Sequence, residues 1–176
     1  TLPWLMAICF AGSLGAGQPG GVTPVKKLEF LAGQEGVQAG QQLPVGVRVS
    51  LAGDFHVNSH VPSTEYLIPT SFDLIAPEGF AAKTWDFPEG TNKRFPFSDV
   101  PLSVYEGTFV VRGSLKVEEG TAPGAKQARG TLKYQACTSQ RCYPPKKDEV
   151  TLQFKVVPPG TAVLRLHPDI FAAVIP

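Results

Sequence analysis

Charge of one sign is nowhere concentrated in this sequence. Its 16 Lys and Arg nearly balance 15 Asp and Glu, and the formal net charge is +1. No like-charged block exceeds Lys146-Lys147 or Glu118-Glu119. Such a chain offers no electrostatic footprint for nucleic acid, which leaves a protein partner or a small ligand. Methionine and histidine are scarce as well, at 1 and 3 residues, and this counts against a metal chaperone. There is no cofactor motif and no internal repeat. No apolar stripe of period 3.6 is sustained, so a helical bundle is excluded.

Long hydrophobic runs are also lacking. The apolar stretch Leu2 to Leu14 contains Trp4, Leu5, Met6, Ile8 and Phe10, but it falls short of the ~20 residues that a membrane helix needs. The small residues Gly15-Ala16-Gly17-Gln18 that follow resemble a signal-peptidase site. Residues 1–17 therefore read as a clipped signal peptide, and 18–24 as a flexible join rich in Gly, Pro and Gln. Export places the chain in the periplasm.

Cysteine is limited to 3 residues. Cys9 lies inside the apolar run, so its removal with that segment leaves only Cys137 and Cys142. In an exported chain an even pair is expected to be a disulfide.

What is abundant is turn-forming and alternating. The 17 Pro and 18 Gly are scattered instead of forming a tract, which punctuates many short segments. Leu43, Val45, Val47, Val49 and Leu51 alternate with polar or small residues, and at period two they share one face of a strand. The same pattern recurs in Phe109, Val111, Leu115 and Val117, in Leu132, Tyr134 and Ala136, and in Val150, Leu152, Phe154 and Val156. Phe72 with Leu74, and Phe80 to Phe87, supply further strands, with Trp85 in the core. Turns are signalled at Pro88-Glu89-Gly90, Glu118-Glu119-Gly120 and Ala122-Pro123-Gly124. These features predict an all-β, immunoglobulin-like antiparallel sandwich over residues 25–160. Residues 161–176 are left as a tail or the start of a linker, with a weak helical signal near Ile170 to Val174.

Thr138-Ser139-Gln140-Arg141 separates Cys137 from Cys142. Fully extended, those steps would span roughly 17 Å, whereas bridged Cα atoms lie within about 7 Å, so the segment must fold back as a turn. Closing so small a loop contributes on the order of 2 kcal/mol and links no distant parts of a sandwich. The residues alone leave two readings open. One is a local structural disulfide in a non-enzymatic binding or scaffold module. The other is a reactive pair, favoured by the cationic neighbours Arg141, Lys146 and Lys147. No further thiolate or histidine lies close enough in sequence to complete a metal site. His56 and His60 would suit a metal on a helix, but Asn58, Ser59 and Pro62 place them in a strand and turn.

The flanks favour the second reading. Tyr134-Gln135-Ala136-Cys137 and Cys142-Tyr143-Pro144-Pro145 form a segment that resembles the N-terminal periplasmic domain family of the thiol–disulfide interchange protein DsbD. Phe55 to His60, Pro62 to Thr70 and Pro96 to Gly107 are similar to that family too. The resemblance implies a domain that takes electrons from a transmembrane reductase and hands them to thioredoxin-like periplasmic proteins. It needs no cofactor, because the sulfurs carry the electrons. By the same resemblance, Cys142 would form the mixed disulfide with partners and Cys137 would be the resolving thiol. Phe95 and Phe97 would belong to a cap loop that shields the pair, although the family's acidic pair is missing there and Asp99 is the nearby acid. Cys137 follows a strand with inward Leu132, Tyr134 and Ala136, and is expected to be the less accessible sulfur.

Overall fold

The computed structural model describes residues 22–171. The expected signal peptide over 1–17, most of the join at 18–24 and the end of the expected helix lie outside the described residues. Within them the strands are β1 (Val25–Ala32), β2 (Val37–Gln38), β3 (Gln42–Leu51), β4 (His56–Asn58), β5 (Ser71–Ile75) and β6 (Phe80–Ala82). They continue as β7 (Thr91–Lys93), β8 (Leu102–Glu106), β9 (Thr108–Val117), β10 (Gly124–Tyr134), β11 (Ala136–Cys137) and β12 (Lys146–Val157). One short helix, α1 (Pro168–Phe171), closes the described chain. No helix among the described residues is long and apolar enough to cross a membrane.

Two four-stranded sheets, in the orders β1-β3-β9-β6 and β2-β12-β10-β5, form the layers of an immunoglobulin-like sandwich. Pairing is antiparallel throughout, except for the two-residue parallel contact of β2 with β12. The alternation in β3 explains its central place: Leu43, Val45, Val47 and Val49 are fully buried. Each such residue contributes about 1.5–3 kcal/mol relative to exposure. Ala128, Leu132, Leu152, Phe154 and Val156 answer them from the facing sheet.

Aromatic rings join the layers. Phe30 of β1 meets Phe72 of β5 edge-on at 5.5 Å, and Phe80 of β6 meets Phe154 of β12 at 5.2 Å. Phe72 also meets Trp85 at 4.7 Å. Two inward glycines make room for that last pair. A Cβ on Gly130 would lie 2.0 Å from the Phe72 ring, and one on Gly113 would lie 2.7 Å from the Trp85 ring. Trp85 thus packs against the core, as its alternating segment predicts.

A third sheet, β11-β4-β8-β7, gathers the continuations of both layers at one end. β4 continues the chain of β3 after a turn, and β8 runs into β9 through Gly107, whose φ is 59°. β11 continues β10 beyond Gln135. The single strand expected through Leu132, Tyr134 and Ala136 is therefore split. β10 pairs with β12 and β5, whereas β11 leaves that sheet to pair with β4.

The described part of the expected tail packs against the sandwich. The Glu35 amide donates to the Leu164 carbonyl at 2.9 Å, and the Leu166 amide to the Gly33 carbonyl at 2.8 Å. Arg48 bonds Asp169 at 2.8 Å, and Ile170 and Phe171 are buried. Gly46 faces away from the core between Val45 and Val47, and the Phe171 ring rests on it. Ile170 and Phe171 thus cover part of the outer face of the first sheet.

Candidate redox site

The site forms where Gln135 breaks the strand. Its side-chain amide donates to the Tyr143 carbonyl at 3.3 Å, and its oxygen accepts from Asn58 Nδ2 at 3.4 Å. Asn58 is itself fully buried; its Nδ2 also donates to the Ile68 carbonyl at 3.0 Å, and its own carbonyl accepts from the Thr70 hydroxyl at 2.6 Å. One buried polar network therefore fixes β4, the loop after it and the start of the cysteine turn. Within this network the Asn58 Oδ1 is left without a partner among the described residues.

Beyond Gln135 the chain turns back on itself. The Thr138 amide donates to the Arg141 carbonyl at 2.9 Å, and the Tyr143 amide to the Ala136 carbonyl at 2.8 Å. These two bonds flank Cys137 and Cys142, which face each other as the non-hydrogen-bonded pair of a small antiparallel hairpin. Their Cα atoms are 3.9 Å apart and the sulfurs are bonded. The turn required by the spacing is thus present.

The two sulfurs differ in access. Cys137 is 1% exposed, while Cys142 lies on the exposed limb of the turn. The difference follows from register: Cys137 is held in β11 against β4, whereas Cys142 pairs only with Cys137.

A family model described as "Thiol:disulfide interchange protein DsbD, N-terminal" matches residues 27–154. The chain belongs to this family. As a member of the DsbD N-terminal family it is a thiol–disulfide interchange domain, and the site just described holds its disulfide. Comparison with curated proteins gives no match. Among solved structures, the chain is similar to the reduced N-terminal domain of DsbD from Neisseria meningitidis, with 18% identity, a TM-score of 0.42, and coverage of 81% of this chain and 90% of that one. It is also similar to the N-terminal periplasmic domain of ScsB from Proteus mirabilis, with 13% identity, a TM-score of 0.48 and coverage of 72% of this chain. The match spans 44% of the ScsB chain. A third similar structure is the GAE domain of GGA2p from Saccharomyces cerevisiae, with 11% identity, a TM-score of 0.41, and coverage of 78% of this chain and 95% of that one.

The other residues singled out by this DsbD-family sequence fall into distinct places. Phe95 and Phe97 share one loop between β7 and β8, with rings stacked at 5.3 Å. Phe95 is half-buried and also stacks on His56 at 4.1 Å; Phe97 is 42% exposed. The loop reaches the cysteine strand through His56, the ladder partner of Cys137. His60 is spent elsewhere, stacked on Phe87 at 4.0 Å with its Nδ1 on the Thr70 carbonyl. Arg141 lies over the Tyr143 ring at 4.9 Å, next to the exposed sulfur. Lys146 instead donates to the Val22 carbonyl. Tyr134 is buried and donates to Asp148 at 2.7 Å, which makes it a packing residue with a satisfied hydroxyl.

Sequence reasoning missed three groups near the disulfide. His56 lies in a strand, as its flanks suggest, but its place between Cys137 on one side and Glu106 on the other was not foreseen. Glu106 and Asp54 line an open cleft with Phe95, His56 and Ser139. The acids that line this cleft with Phe95 thus come from β8 and from the turn before β4, while Asp99 stays on the exposed loop. No local pattern marks them, because only the pairing of three non-consecutive strands brings them together.

Proposed function

We propose that this domain is a periplasmic protein-disulfide reductase that relays electron pairs from a transmembrane reductase domain to thioredoxin-like proteins. The observation that carries the reading is the asymmetry of a purely local disulfide: one sulfur is exposed on a turn, and the other is buried in the strand behind it. A bond between residues 5 apart joins no two layers of the sandwich, so its cleavage leaves the core in place.

Cys142 is the thiol that meets partners. As a thiolate it attacks a partner disulfide, forming a mixed disulfide and releasing one partner thiolate. Cys137 then attacks the Cys142 sulfur, closes the internal disulfide and releases the second partner thiolate. Two electrons pass from the domain to the partner. The reverse sequence with a dithiol of the membrane reductase recharges the domain. Arg141, fixed on Tyr143, favours the Cys142 thiolate by its charge. Phe95 and Phe97 form the cap that keeps small thiols from the bond. The apolar segment Leu2 to Leu14 supports export.

Incubating the reduced domain with a disulfide-bonded thioredoxin-like protein, followed by thiol alkylation and mass measurement, tests this. The expected result is transfer of one disulfide to Cys137 and Cys142. No transfer at any pH would favour a scaffold module with a structural bond.

A further inference from the structure

His56 is 1% exposed, yet its Nε2 meets no hydrogen-bond partner among the described residues. A buried polar atom without a partner is costly, and a native one calls for an explanation. The register supplies one. His56 lies directly opposite Cys137 on β11 and directly opposite Glu106 on β8. Directly opposed residues of antiparallel strands put their side chains on the same face, close together. Cys137, His56 and Glu106 therefore form one row across three strands. Phe95 covers the imidazole, with ring planes 16° from parallel.

The chemistry needs a group at this place. Cys137 must be a thiolate to attack, but its burial disfavours the charged form and keeps solvent bases away. We propose that His56 is the base that takes the proton from the Cys137 thiol as the internal disulfide closes, and gives it back when that disulfide is reduced. This rests on the exchange reading above. In closure, the Cys137 S–H bond breaks and its proton passes to His56 Nε2. The Cys137 sulfur bonds to Cys142, the bond from Cys142 to the partner sulfur breaks, and that sulfur leaves with the electron pair. The imidazolium then protonates the departing thiolate or solvent.

The surroundings suit a base. Burial lowers the His56 pKa, Glu106 across the ladder partly opposes this, and Lys93 adds to the lowering. Lys93 is itself ion-paired to Glu106. Asp54 and Ser139 line the same cleft. The imidazole is thus neutral near pH 7 and able to accept.

Dithiobis(nitrobenzoate), mixed with the reduced protein carrying Cys9→Ser, separates the two steps. The first coloured thiolate reports attack by Cys142, and the second reports closure by Cys137. In the parent protein the closure rate should level off above the His56 midpoint, below about pH 6.5. In His56→Gln closure should fall about 100-fold at pH 7 and rise about tenfold per pH unit as hydroxide replaces the lost base. The first step should be unchanged, which also shows that the variant is folded. A parent rate that climbs without a plateau, or a His56→Gln profile parallel to it, overturns the role of His56 alone. Release of fewer than two thiolates by the parent protein would overturn the exchange reading, and this role with it.

Discussion

Phe95 lies flat on His56, ring centroids 4.1 Å apart, and so closes one side of the row that ends at Cys137. Removing that ring opens the row to water and small thiols. Phe95→Ala should speed reduction of the disulfide by glutathione, and the double variant with Phe97→Ala should speed it further. The stability cost should be about 1 kcal/mol, since the Phe95 side chain is only half-buried. Pseudo-first-order reduction kinetics check this, and an unchanged rate removes the shielding role.

Reduction should leave the sandwich folded. Opening a loop between residues 5 apart releases chain entropy worth about 2 kcal/mol, while the paired sheets and their aromatic contacts are untouched. Circular dichroism of the reduced and oxidised forms should show the same sheet signal, with the reduced form melting slightly lower. On the exchange reading the reduction potential lies above about −300 mV, the range below which structural disulfides fall. Loss of the sheet signal on reduction would make the bond a staple.

Acid should weaken the oxidised domain through His56. Its folded pKa lies below the ordinary value of 6.5, mainly because it is buried. Below about pH 6.5 the unfolded chain therefore binds a proton that the folded chain refuses. This contribution is intact above that pH and is lost as the pH falls toward the folded pKa. Urea unfolding at pH 7.5 and pH 5 should show a drop that His56→Gln reduces.

Tyr134 works at the other extreme of pH. Burial first, and then its bond to Asp148, raise its pKa far above 10. Its contribution is complete below pH 10 and is lost as the pH rises beyond that value. Tyr134→Phe should cost about 2 kcal/mol, the usual worth of a hydrogen bond to a charged group. Denaturant midpoints measure this loss, and the two steps of thiol exchange should keep their rates.

The strands that build the sandwich were legible because their alternation is strict. Leu43 to Leu51 reads directly as β3, and Val150 to Val156 as the second half of β12. The flanks of the cysteines carried the family, and the spacing carried the turn. What stayed hidden depends on which strand lies beside which. The break at Gln135 is invisible locally, since Leu132, Tyr134 and Ala136 keep alternating while the chain changes sheets. The row Cys137, His56, Glu106 draws on β11, β4 and β8, which are far apart in sequence. Asp54 and Glu106, the acids that line the cleft with His56, were hidden for the same reason, since along the chain Asp99 is the acid nearest Phe95 and Phe97.

The measurement that bears most directly on Cys142 as the exchanging thiol is a trapping comparison. Cys137→Ala leaves the exposed sulfur without a resolving partner, so it should accumulate a mixed disulfide with a thioredoxin-like protein, visible on a non-reducing gel and lost on adding dithiol. Cys142→Ala leaves only the buried sulfur, 1% exposed, and should trap far less. A stronger adduct from Cys142→Ala would reverse the two roles, and no adduct from either variant would contradict electron transfer through this pair.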